Sequence, residues 1–142
     1  MDSEAIRCVV LADRHHGLSE GIRGLLESEF EAVVMVADER SLIESAFRLQ
    51  PKLVVADLAL TQGEHFGWLE RLLKRCPESR VIVISSHDEP TIIQSALDAG
   101  AAGYVRKSEL STKLMAAIDA VMAGERNVGR ERLEQKPPGK WN

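Results

Sequence analysis

Apolar residues along the chain gather into five short runs: Ile6–Ala12 (IRCVVLA), Val33–Ala37 (VVMVA), Leu53–Ala56 (LVVA), Val81–Ser85 (VIVIS) and Gly103–Arg106 (GYVR). Most are rich in Val and Ile and lack polar alternation, which predicts strands buried on both faces and hence a parallel sheet. Gly103–Arg106 is the weakest strand by this test. Between the runs, apolar residues recur at helical spacing. Leu18, Ile22, Leu25 and Leu26 share one face, as do Leu42, Ala46 and Leu49, then Leu69, Leu72 and Leu73. Ile92, Ile93, Ala96 and Leu97 make a fourth stripe, and Leu110, Leu114, Ala117, Ile118 and Val121 a fifth. Pro51 closes the second helix and Cys76-Pro77 the third, while Gly100 and Gly124 stand where helix ends favour glycine. Asp88 reads as an N-cap with Pro90 in the first turn. Five strand–helix alternations with short connections imply right-handed crossovers and a three-layer, doubly wound α/β sandwich.

The 142 residues make one domain, and 44% hydrophobic against 28% charged residues support a packed core rather than disorder. No apolar run approaches the roughly 20 residues of a membrane helix, and the acidic start Met1-Asp2-Ser3-Glu4 is no secretory signal. Cys8 and Cys76 make neither a disulfide framework nor a metal-ligand spacing. The expectation is a reduced, cytoplasmic protein without a membrane partner. Residues 125–142 hold five Lys or Arg against three Glu, a net +2, so residues 1–124 carry −6 against −4 for the whole chain. An acidic body argues against nucleic-acid binding, and the basic stretch with Pro137-Pro138-Gly139 reads as a flexible tail or linker.

In an open parallel sheet, ligands bind outside the carboxyl ends of the strands. Asp13-Arg14-His15-His16 follows the first run, Asp57 the third, Ser85-Ser86-His87 ends the fourth, and Arg106-Lys107 the fifth. One rim thus collects two carboxylates, a hydroxyl and an ammonium. A carboxylate attacks a phosphoryl group to give an acyl phosphate, and the negative charge calls for a cation and a hydroxyl donor, here Lys107 and Ser85. The second carboxylate suits a divalent ion such as Mg²⁺. Any one of these residues alone is more often a loop charge or helix cap; their joint placement on four strands is what points to a site.

The stretches LADRHHGLSEGIRGLLE, VIVISSHDEP and GAAGYVRKSELSTKLMAAIDAVMAGE resemble the receiver domains of two-component response regulators, especially those fused to LuxR-type helix-turn-helix outputs. The resemblance runs from about Ile6 to Gly124 and implies a flavodoxin-like fold with strand order 2-1-3-4-5. It implies that residues 1–124 are the receiver, that Asp57 is the phosphoacceptor, and that Asp13 is one of two Mg²⁺-holding acids, with the Ala59 carbonyl completing the metal shell. Ser85 matches the hydroxyl that turns toward the phosphoryl group, Lys107 the lysine that contacts it, and Tyr104 a switching aromatic.

The departures matter equally. Arg14 stands where the family has its second acid, a change of two charge units that weakens or abolishes Mg²⁺ binding. Arg14 either lies over Asp57 in place of the metal's charge or swings into solvent and leaves Asp13 and Asp57 a weak metal site; the reach of a guanidinium to water favours the second. Thr61 replaces a common proline, with Gly63 and Gly67 still permitting a tight turn. Ser108 follows Lys107 where relatives carry a cis-proline, and a cis bond there survives only if the pocket enforces it. His15, His16, His65 and His87 lack zinc spacing, and His87 is expected to border the pocket. Trp68 is expected to be partly buried and Trp141 exposed, and Leu114, Ile118 and Val121 to be core rather than partner surface.

The resemblance implies a signalling switch that takes phosphate from a histidine kinase and alters a protein contact, often as a homodimer, without turnover of a metabolite. A degenerate receiver disabled by Arg14 and acting as an interaction module is the alternative. An aspartyl phosphohydrolase fits less well, because Asp13 is followed by Arg14-His15 rather than by x-Asp. A nucleotide or flavin domain lacks its glycine-rich loop.

Overall fold

Each of the five apolar runs overlaps a strand, and each gap holds a helix, in a computed structural model that describes residues 7–14, 16–60 and 66–125, and of residues 16–20 the backbone alone. In chain order these are β1 (Cys8–Ala12), α1 (His16–Glu27), β2 (Ala32–Val36), α2 (Glu39–Leu49), β3 (Leu53–Asp57), α3 (Gly67–Arg75), β4 (Arg80–Ser85), α4 (Pro90–Asp98), β5 (Gly103–Arg106) and α5 (Leu110–Met122). The sheet is parallel with order β2-β1-β3-β4-β5, the doubly wound flavodoxin-like arrangement.

Alternation along the strands sends successive side chains to opposite faces. Val10, Ala12, Val54, Ala56, Val81 and Val83 pack with Leu42, Ala46, Trp68, Leu69, Leu72, Ile93 and Ala96. The intervening Val9, Leu11, Leu53, Val55, Ile82 and Ile84 pack with Ile22, Leu26, Leu114, Ala117, Ile118 and Val121. Thus α2, α3 and α4 cover one face, α1 and α5 the other, and the uninterrupted apolar runs have their reason. Arg80 at the start of β4 holds the last carbonyls of α5, donating to Val121 at 2.7 Å and Met122 at 3.2 Å, where the helix dipole favours a cation.

Several expectations need correction. β2 is half-buried along its length, not covered on both faces, because it is an edge strand with a neighbour on one side. Leu25 and Leu49 share helical stripes with core residues, yet are 36% and 42% exposed. A helix covers the sheet with a narrower stripe than its apolar pattern suggests. Trp68 is fully buried rather than partly so. The N-cap of α4 is Glu89, without a side-chain cap bond; Asp88 pairs instead with Arg106 at 3.6 Å. The Lys107–Ser108 peptide is trans, within a short 3₁₀ turn, Lys107–Glu109. Gly67 opens α3 rather than making a turn, while Gly63, His15, His65, Trp141 and the stretch 126–142 lie outside the described residues.

Gly100 and Gly124 end α4 and α5 at φ of +114° and +94°, as their positions suggest. A Cβ at Gly100 would lie 2.5 Å from Leu73 Cδ1. The leucine end can shift, but the backbone strain remains. Gly100→Ala is expected to cost about 1–3 kcal/mol, read as a lower urea midpoint at unchanged slope; an unchanged midpoint would contradict this account of the turn.

Candidate functional site

Register brings the rim residues together. Ala12 lies opposite both Val36 and Ala56, so Asp13 and Asp57 each follow by one residue on adjacent strands. Asp57 lies opposite Ile84, one residue before Ser85; Ser85 in turn lies opposite Arg106, one residue before Lys107. The switch in winding direction between β1 and β3 opens the crevice in which ligands of such sheets sit. Among the described residues the buried polar or charged side chains are Asp13, Asp57, Ser79 and Ser85, and three of these four stand on this rim. Ser79 is elsewhere and structural, donating to the Pro51 carbonyl at 2.6 Å.

Asp57 is 2% exposed. Its Oδ1 accepts from the Ala59 amide at 2.9 Å, in the short turn Leu58–Leu60 that follows β3. Its Oδ2 is 2.7 Å from Lys107 Nζ, which reaches in from the end of β5. That contact is close but not aligned as a hydrogen bond, and among the described residues no other donor meets Oδ2. The oxygen is therefore paired in charge while its lone pairs are incompletely satisfied, a condition that suits a nucleophile.

The hydroxyl and aromatic form a second group. Ser85 Oγ accepts from the His87 amide at 2.9 Å, and Tyr104 donates its phenol to the His87 carbonyl at 2.9 Å. Arg106 grips Glu109 through two nitrogens, at 2.9 and 3.2 Å, and lies near Asp88. The β4–α4 loop is thus held from β4 by Ser85 and from β5 by Tyr104 and Arg106. Arg106 had a legible signal, its i,i+3 spacing to Glu109. The Tyr104–His87 contact had none, because the residues are 17 apart. His87 borders the site through its backbone, and its ring faces Glu89 Oε1 at 3.5 Å.

Arg14 is exposed, yet its Nη1 donates to the Ala59 carbonyl in a long bond of 3.4 Å. Neither of the two expected positions describes this fully: the side chain is in solvent and still sits on the oxygen assigned to a metal. A divalent ion would draw on Asp13, Asp57 and that carbonyl. The carboxylates are of the right type, but a guanidinium on the third oxygen competes for it and repels a second cation. With Arg14 so placed, the residues do not fit Mg²⁺. Among the described residues, no group of three or more His, Cys, Asp or Glu gathers at a metal position. Burial raises the pKa of both Cys8 and Cys76, which keeps these thiols inert.

The family model of the response regulator receiver domain matches residues 9–119. The chain belongs to this family. The chain is also similar to curated transcriptional regulators and to solved response-regulator structures. The chain is 28% identical to the transcriptional regulatory protein DegU of Brevibacillus brevis over 118 residues, covering 82% of this chain and 50% of DegU. It is 31% identical to the transcriptional activator protein ExaE of Pseudomonas putida, covering 82% of this chain and 55% of ExaE. A two-component response regulator of the LuxR family from Aurantimonas sp. SI85-9A1 superposes with a TM-score of 0.81 at 26% identity, covering 92% of this chain and 95% of that one. The isolated receiver of RcsB from Salmonella enterica, in its apo form, gives 0.79 at 27%, covering 92% and 99%. This receiver spans about half the length of the curated relatives it matches.

Two solution properties follow. Tyr104 is the single tyrosine, and burial raises its pKa above 10.0, partly offset by a hydrogen bond with Ser85 and reinforced by the carboxylates of Glu89 and Asp88. The folded chain thus holds the phenolic proton more tightly than the unfolded chain. That contribution to stability is present below pH 10 and is lost as pH rises through the raised value. Ultraviolet titration of the phenol is expected to show a midpoint above 10.0; an ordinary midpoint would refute the buried placement. In Mg²⁺ titrations followed by calorimetry, Arg14→Asp is expected to gain at least about tenfold in affinity over the unsubstituted chain. Equal affinities would show that Arg14 does not obstruct the cation.

Proposed function

We propose that this receiver is a phosphorelay switch that takes a phosphoryl group on Asp57 from a histidine kinase. The observation that carries this reading is the buried Asp57 carboxylate, 2.7 Å from Lys107 and with one oxygen lacking an aligned donor. An Asp57 oxygen attacks phosphorus, the phosphorus–nitrogen bond of the donor breaks, and the imidazole leaves as an acyl phosphate forms. Lys107 offsets the charge that builds on the phosphoryl oxygens, and Ser85, which accepts from the His87 amide, still has its hydroxyl hydrogen to donate. The added charge of about −1.5 to −2 then competes for the groups holding the β4–α4 loop. Tyr104 reports or relays that shift, and the output is a changed protein contact, with a second copy of the receiver as one partner.

The relatives' names place their outputs in transcription, and RcsB of Salmonella enterica is known bound to a promoter. In this chain the switch belongs to residues 1–124, and 125–142 act as tail or linker; the acidic body makes no nucleic-acid contact of its own. Arg14 motivates the second reading, an interaction module that works without phosphorylation. Incubation with acetyl phosphate and Mg²⁺, followed by intact mass, is expected to show one added phosphoryl group that Asp57→Ala abolishes. No gain in mass leaves the interaction module as the better account.

A further inference from the structure

We infer that Arg14 takes over the work of a divalent cation in this receiver, so that Asp57 accepts a phosphoryl group without a metal. The inference rests on Asp57 being the phosphoacceptor and adds its second electrostatic partner. Ala59 ties the two groups together. Its amide donates to Asp57 Oδ1 at 2.9 Å, while its carbonyl accepts from Arg14 Nη1 at 3.4 Å. A guanidinium on a carbonyl 45 residues away is thereby brought to the same turn as the nucleophile.

Charge counting points the same way. The rim holds two carboxylates, Asp13 and Asp57, and two side-chain cations, Arg14 and Lys107, so these four groups balance before any ion is added. A divalent ion would bring an excess of positive charge and displace Arg14 from Ala59. The guanidinium is a planar fork of five donors, matched to phosphate oxygens and more weakly hydrated than an ammonium. Its exposure suits the role, because the phosphoryl donor arrives from solvent at this mouth.

In the step itself, an Asp57 oxygen bonds to phosphorus while the phosphorus–nitrogen bond of a phosphoramidate breaks. Ammonia leaves with a proton from solvent, and Arg14 and Lys107 offset the charge on the transferred oxygens. Phosphoramidate is therefore the probe, with uptake by the full chain followed by intact mass in EDTA and in excess Mg²⁺. The unsubstituted chain is expected to react at the same rate in both. Arg14→Ala is expected to lose about a hundredfold in EDTA, and Arg14→Asp to react only with Mg²⁺. A purely structural arginine would not move the ratio of the two rates, and circular dichroism checks that each variant is folded. An unsubstituted chain that reacts only with Mg²⁺, or an Arg14→Ala variant that matches it in EDTA, overturns this inference and leaves Asp57 as acceptor. Reaction of Arg14→Asp with Mg²⁺, while the unsubstituted chain stays inert, does the same and shows that Arg14 disables the site. No uptake by any of the three chains under either condition removes the reading of Asp57 as phosphoacceptor and this inference together.

Discussion

Two carboxylates nearly withdrawn from water, on neighbouring strands, form a repulsive pair that a fold tolerates only when cations stand beside them. Asp13 and Asp57 are such a pair, and the rest of the rim is arranged around that constraint. Lys107 answers it from the β5 side, and Arg14 at the end of β1 reaches the Ala59 carbonyl in the turn after Asp57. Neither cation would be in reach if the strand order differed. With order β2-β1-β3-β4-β5, β3 stands centrally, and residues from strands on either side converge on its end. Truncating Lys107 would leave Asp57 as a buried charge with its closest cation removed, which is why the pair serves both the fold and the chemistry.

The contacts that position the β4–α4 loop differ in strength, and this bears on how a charge at Asp57 is read elsewhere. Arg106 and Asp88 are 3.6 Å apart, with Asp88 well exposed, and a solvated pair of this kind contributes little. The Tyr104–His87 and Ser85–His87 hydrogen bonds are shorter and partly buried, each exchanging for another partner at modest net cost. Ser85 accepts from the His87 amide through a lone pair and keeps its own hydroxyl hydrogen for a new anion. A loop held by such exchangeable bonds, rather than by packed apolar side chains, is the kind of element whose two arrangements lie close in energy. At the opposite end of the sheet Gln50, Ser79 and Arg80 satisfy backbone carbonyls and hold chain segments in place.

Much of this was legible in the chain before any coordinates. Uninterrupted Val and Ile runs located the strands, because burial on both faces removes polar alternation. Helical stripes named most of the core, and the residues just beyond each run named the rim, because a strand's last residue leaves the sheet at a known edge. Three kinds of fact escaped. The half-burial of β2 and the exposure of Leu25 and Leu49 depend on how far each helix extends over the sheet. Phe47, 55% exposed, lies beneath the Arg75 guanidinium at 5.2 Å, a neighbour that no local pattern announces. Asp88 gave up its expected cap role to a partner on another strand.

The linear chain by itself determined the strands, the helices, the two-sided core and the identity of the charged and hydroxyl groups at one sheet edge. These follow from local periodicity and from the parity of residues along a strand, which act over a few positions. Tertiary structure decided which of those groups meet: Lys107 with Asp57, Tyr104 with the His87 carbonyl, Arg14 with the Ala59 carbonyl. Such pairings join residues 17 to 50 positions apart, as the spacing of the named partners shows. They depend on strand order, register and side-chain reach together, and on competition with water and with other partners, none of which is written in the spacing of residues along one segment.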